Sequence, residues 1–259
     1  MGARLKFASL GSGSRGNATV VRCNGTCIMV DCGFSLRETR RRLARLRLSP
    51  ADLSAILVTH EHGDHVRGVA ALACAADIPV WMSAGTARAA ASHAREIVDL
   101  RLLNSHQAFA VGDLEIRPFP VPHDAREPCQ FVVGNGEHRL GLLTDTGTTT
   151  PHQAEVLDGC EALLLECNHD EALLARSAYP PAVRARIGGR LGHLSNRQAG
   201  GLLARLGTTR LQHVVAAHLS EQNNTVALAR DALSAALGCE PGWIGIATQD
   251  GGLAWREIL

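Results

Sequence analysis

The chain of 259 residues is 46% hydrophobic and 20% charged, enough apolar surface for a sizeable core and too ordered a composition for a disordered protein. Its net charge of +1 gives no global pull towards nucleic acid or a membrane surface. There is no charged-then-apolar leader and no run long enough to span a bilayer, so a cytoplasmic protein without a membrane partner is expected. Eight cysteines form no C-x-x-C pair and read as reduced core residues. Lys6 is the only lysine; the arginine excess goes with the abundant alanine as a compositional bias more than as phosphate recognition.

Leu5–Leu10 alternates as a strand and runs into Gly11-Ser12-Gly13-Ser14-Arg15-Gly16-Asn17. That loop is either a plain tight turn or an anion-contacting one, with Ser12, Ser14 and Asn17 as substrate contacts. Ala18–Cys23 and Cys27–Val30 form a hairpin around Asn24-Gly25, which would place Cys23 and Cys27 opposite each other. Ser35–Arg47 is a basic helix with Leu36, Leu43 and Leu46 on one side and a solvated arginine face.

A short apolar strand, Ala55-Ile56-Leu57-Val58, then leads into Thr59-His60-Glu61-His62-Gly63-Asp64-His65. Imidazoles and a carboxylate at this density are ligands for zinc and related first-row metals. His60 and His62 alternate in extended backbone and point the same way. Gly63 lets the chain turn and aim Asp64 and His65 elsewhere, so two metals side by side are expected. Val66–Ala76 continues as a helix, Pro79–Met82 as a strand and Thr86–Ala94 as a helix.

Gly112–Pro118 and Gln130–Val133 read as strands, with His123 in the proline-stiffened stretch between them as either a third ligand or a merely hydrogen-bonded histidine. Three further apolar strands end in Asp145, Glu166 and His218, and strand ends are where the loops of layered α/β folds converge. Trp243–Ala247 and Leu253–Trp255 read as a final hairpin around Asp250-Gly251-Gly252.

The order and spacing of His60, His62, Asp64, His65, His123, Asp145 and His218 resemble the ligand set of the metallo-β-lactamase superfamily. The resemblance covers nearly the whole chain. It implies an α/β fold of one domain, residues 1–259, built as a four-layer αββα sandwich. It also implies two divalent metal ions, zinc first, with manganese or iron also accepted by a cysteine-free ligand set. One ion takes His60, His62 and His123, the other Asp64, His65 and His218, with Asp145 bridging and Asp31 supporting the site from behind. The 73 positions between Asp145 and His218 leave no room for a β-CASP insertion.

Gly192-His193-Leu194-Ser195-Asn196, 25 positions before His218, resembles the extra histidine of the phosphodiesterase members, with Glu166 as its orienting carboxylate. Together with the loop at 11–17, Glu166-Cys167-Asn168-His169-Asp170 and the stretch from His218 to Asn224, it resembles the bacterial YycJ/WalJ group. That group implies 5′→3′ exonuclease action on double-stranded DNA and a part in mismatch repair. The implied reaction is attack by a hydroxide shared between the two metals, with Asp64, His193 and Glu166 in the catalytic machinery and His193 serving the leaving oxygen. His169 and Asn223 are expected near the substrate. Competing readings are a thioesterase of the glyoxalase II type, a cyclic or small-molecule phosphodiesterase, and a metal-bound sensor without catalysis. Oligomeric state is not legible.

Overall fold

In the computed structural model, which describes residues 4–259, the strands form two seven-stranded sheets. The first contains β1 (Leu5–Gly11), β2 (Ala18–Cys23), β3 (Thr26–Val30), β4 (Ala55–Leu57), β5 (Val80–Ser83) and β6 (Leu100–Leu103). The second contains β7 (Phe109–Val111), β8 (Leu114–Pro120), β9 (Cys129–Gly134), β10 (Arg139–Leu143), β11 (Ala162–Glu166), β12 (His213–Ala217) and β13 (Gly245–Ile246). The chain then returns to the first sheet as β14 (Leu253–Ile258), which pairs with β1.

Each sheet begins antiparallel and ends parallel. β14-β1-β2-β3 and β7-β8-β9-β10 are antiparallel, whereas β3-β4-β5-β6 and β10-β11-β12-β13 are parallel. Parallel strands deliver their carboxyl ends to one edge, so the residues following β3, β4, β10, β11 and β12 converge there. The sheets face each other across an apolar layer that includes Phe7, Ile28, Leu57, Ile116, Phe131 and Val215. A second cluster packs helices Leu36–Arg45 and Val69–Ala76 on the first sheet. A third packs helices Pro151–Leu157, Asn196–Leu203 and Val226–Leu237 on the second. This is the expected αββα sandwich, and its buried parallel strands are the near-continuous apolar runs seen in the sequence.

Three local readings change. The expected final hairpin does not form: β13 pairs in parallel with β12, while β14 pairs with β1 in the opposite sheet. Only a single bridge, Thr248 to Gly252, joins the two segments. Cys23 pairs with Thr26, and Cys27 with Arg22, so the two cysteines fall on opposite faces of the hairpin and into different core clusters. The helix after the histidine motif breaks into Gly63–Val66 and Val69–Ala76 because Gly68 N–H bonds Cys32 carbonyl. No helix among the described residues is long and apolar enough to cross a membrane.

Two contacts tie distant segments to the site. The Thr248–Asp250 turn grips the 11–17 loop: Ser12 N–H donates to Thr248 carbonyl, and Gln249 takes Arg15 N–H at 2.7 Å and donates to Gly16 carbonyl at 2.9 Å. Gly33 lies against the motif helix, where a Cβ would come 1.8 Å from the Asp64 carbonyl oxygen. Backbone cannot yield as a side-chain tip can. Gly33→Ala is therefore expected to cost at least about 1–3 kcal/mol, the usual range for overpacking. A denaturant melt checks it, and an unchanged midpoint would show that the two segments separate freely.

Candidate metal centre and catalytic cleft

The histidine motif leaves β4 at the convergent edge. There His60, His62 and His123 bring their ligand atoms within 4.8 Å of one another, as do Asp64, His65 and His218. Asp145 connects the two groups, with one carboxylate oxygen 3.4 Å from His65 Nε2 and the other 3.9 Å from His123 Nε2. Asp31, Asp145 and His218 all stand at positive φ, 59°, 53° and 55°, within two residues of the ends of β3, β10 and β12. Left-handed backbone at residues other than glycine is uncommon and gathers at functional sites.

The rings are aimed by bonds to their Nδ1 atoms. His60 Nδ1 meets Thr59 Oγ1 at 2.9 Å, His65 Nδ1 meets Asp31 at 2.8 Å, His123 Nδ1 meets Gly192 carbonyl at 3.0 Å, and His218 Nδ1 meets Glu166 at 2.9 Å. Fixing Nδ1 leaves Nε2 as the coordinating atom, the pattern of histidines that bind metals. Asp31 also accepts Thr59 N–H and Thr59 Oγ1–H at 2.8 Å each, so one buried carboxylate braces two ligand rings.

The donors fit metal ions. His60 Nε2, His218 Nε2 and Asp145 Oδ2 are buried with no hydrogen-bond partner, although buried polar atoms are nearly always paired. His62 Nδ1 and His123 Nε2 face each other at 3.3 Å, an arrangement that a cation between them satisfies. Electrostatics agree. Burial, followed by the neighbouring His65, His123 and His62, holds His60 well below the usual imidazole range. Burial opposes charge at His65 and His218 too, but is outweighed. Asp145, Asp31 and Asp64 raise His65 well above its ordinary value, and Asp145, Asp64 and Glu166 push His218 up to about 10. Asp64 and Asp145 are held low against burial by the same histidines. The buried carboxylates thus call for positive charge, which protons or divalent ions can supply.

Glu166, at the end of β11, is fully buried and uses both oxygens twice. Oε1 takes His193 Nδ1 and His218 Nδ1, each at 2.9 Å; Oε2 accepts Thr146 N–H at 3.1 Å and Leu194 N–H at 3.0 Å. Burial favours its neutral form, yet His193 and His218 hold it well below the usual carboxylate range. With Nδ1 committed, His193 keeps Nε2 for the cleft that it lines beside His62, Asp64, Asp145 and His218. This cleft has a volume of about 560 Å³.

The other expected substrate contacts divide. Ser14 is exposed and lines the cleft. Ser12 and Asn17 do not line it: Ser12 Oγ accepts His218 N–H at 2.8 Å, and Asn17 Nδ2 reaches Asp64 Oδ2 at 3.3 Å and His65 Nε2 at 3.1 Å. They brace ligands from below. Asn223 is buried and donates to Ser220 Oγ. His169 is buried beside a separate groove that also contains Arg184 and Arg197. Sequence reasoning missed Asp124, Asn168, Tyr179, Val183, Arg186 and Ile187, all of which line the cleft. Asp124, adjacent to His123, and Asn168, inside the 166–170 stretch, carried a signal; the other four did not.

A sequence model described as the beta-lactamase superfamily domain matches residues 26–218. The chain is 36% identical over 235 residues to an exodeoxyribonuclease, YycJ, of Bacillus anthracis, covering 90% of this chain and 89% of that one. It is 31% identical over 230 residues to an exodeoxyribonuclease, WalJ, of Streptococcus pneumoniae, covering 87% and 85%. Among solved structures, the metallo-β-lactamase fold protein YhfI of Bacillus subtilis superposes with a TM-score of 0.75 at 15% identity, over 98% of this chain and 99% of that one.

Proposed function

The chain belongs to the beta-lactamase superfamily, and from that premise we propose that it is a metal-dependent phosphodiesterase that degrades DNA from an end in the 5′→3′ direction. The observation that carries this reading is the Glu166 carboxylate shared by His193 and the metal-site histidine His218. It fixes an imidazole at the cleft that lies outside the two proposed ligand triads. The exodeoxyribonuclease relatives support DNA as the polymer, and with it a cytoplasmic location.

His60, His62 and His123 would hold one divalent ion and Asp64, His65 and His218 a second, with Asp145 between them. Such ions, zinc or manganese among them, supply Lewis acidity towards a phosphoryl group and acidify water. The protein contributes geometry and a proton. Glu166 accepts from Nδ1 of His193 and so turns Nε2 to the cleft; the imidazolium form, protonated on both nitrogens, would pass its Nε2 proton to the leaving 3′ or 5′ oxygen. Asp31, Asn17 and Ser12 keep Asp64, His65 and His218 in register, so no ligand has to reorient during the reaction.

The test is digestion of end-labelled single- and double-stranded DNA and RNA by protein supplemented with zinc or manganese, with and without a 5′-phosphate. Progressive release of nucleotides from DNA, faster than from RNA, is expected. Turnover of S-lactoylglutathione without DNA cleavage would replace the reading with a thioesterase, and turnover confined to cyclic diesters would replace it with a small-molecule phosphodiesterase.

A further inference from the structure

The short helix Pro181–Ile187 contains no buried residue, yet it borders the catalytic cleft. Tyr179, Val183, Arg186 and Ile187 all line that cleft; helical spacing places Val183, Arg186 and Ile187 on one side of the helix, and Tyr179 stands just before its N-cap, Pro180. An apolar helix side normally packs on a core; here Val183 remains 39% exposed. Tyr179 is the only tyrosine in the chain and the only Phe, Tyr or Trp among the cleft residues.

Among the described residues Arg186 is held by a single side-chain bond, Nε donating to Asp124 Oδ2 at 2.5 Å. Asp124 Oδ1 lies 3.5 Å from His123 Nε2 and 3.8 Å from His62 Nε2. The guanidinium therefore sits one carboxylate beyond the metal ligands. Its orientation is fixed through Nε while both Nη groups stay free for a ligand, and the side chain is 68% exposed. Paired Nη donors on a planar cation match a phosphate.

Resting on the nuclease reading above, we propose that Tyr179 and Arg186 form the subsite for the nucleotide next to the scissile bond. The Tyr179 ring, continued by Val183 and Ile187, stacks its base, and the Arg186 Nη groups bind the neighbouring backbone phosphate. Stacking accepts any base, so the subsite selects a nucleic-acid strand without selecting its sequence. A small diester that has no second phosphate and no base gains nothing from it.

The test uses metal-loaded protein with bis(p-nitrophenyl) phosphate as reporter, inhibited by thymidine 3′,5′-bisphosphate or by inorganic phosphate. Arg186→Ala and Tyr179→Ala should each weaken inhibition by the bisphosphate about tenfold and shift that by inorganic phosphate far less. Tyr179→Phe should keep the stacking. Arg186→Lys, whose one ammonium serves Asp124 or the phosphate but not both, should behave like Arg186→Ala. Equal shifts for both inhibitors, no shift, or full rescue by lysine would overturn the subsite and leave Arg186 as a pin that docks the helix. DNA digestion by the wild-type protein decides the nuclease reading separately, because inhibition of the reporter does not require DNA cleavage.

Discussion

His62→Ala is expected to abolish turnover while leaving both sheets folded. The side chain is 31% exposed and belongs to none of the three core clusters, so its loss removes little buried surface. It does remove one member of the His60, His62 and His123 group, and three protein ligands are the usual minimum for a catalytic zinc site. The wild-type protein should carry two ions per chain after reconstitution and the variant fewer, read by atomic emission. Circular dichroism should be superimposable. One ion or none in the wild type would sink the two-metal reading, and a fully active variant would remove His62 from it.

His193→Ala should behave differently: both metals stay, and kcat falls about 10²–10⁴-fold, the usual worth of a positioned general acid. His193 belongs to neither ligand triad, so metal content is the control that separates the two variants. A nucleotide leaving oxygen has a high pKa and needs the proton, so it should suffer the full loss. p-Nitrophenolate leaves without one, so the loss should shrink on bis(p-nitrophenyl) phosphate. Equal damage to both substrates would show that His193 binds phosphate and does not donate a proton. No damage to either would leave the phosphodiesterase reading without its main support.

The convergence of the candidate metal ligands was legible because their chemistry is dense and sits at strand ends, where both a parallel sheet and a sequence pattern mark it. Glu166 and His193 were legible only through resemblance: nothing in a Leu-Leu-Leu-Glu run says that its carboxylate is shared by two histidines 25 positions apart. Ser12 and Asn17, expected at the substrate, contact His218 and His65 away from the cleft lining, because a loop rich in donors reads the same whether it faces a substrate or supports a neighbouring side chain. The expected last hairpin failed because alternation marks a strand without saying which sheet it joins. Tyr179 and Arg186 were illegible for a further reason: a helix with no buried residue has no core-facing periodicity to detect.

The return of β14 to β1 bears on when the molecule can act during its own synthesis. β1 emerges from the ribosome first, but its outer neighbour is made almost last. The turn before β14 also grips the loop whose Ser12 supports His218. Until residues 248–258 have been translated, the first sheet lacks an edge strand and the 11–17 loop, whose Ser12 meets His218, lacks its anchor.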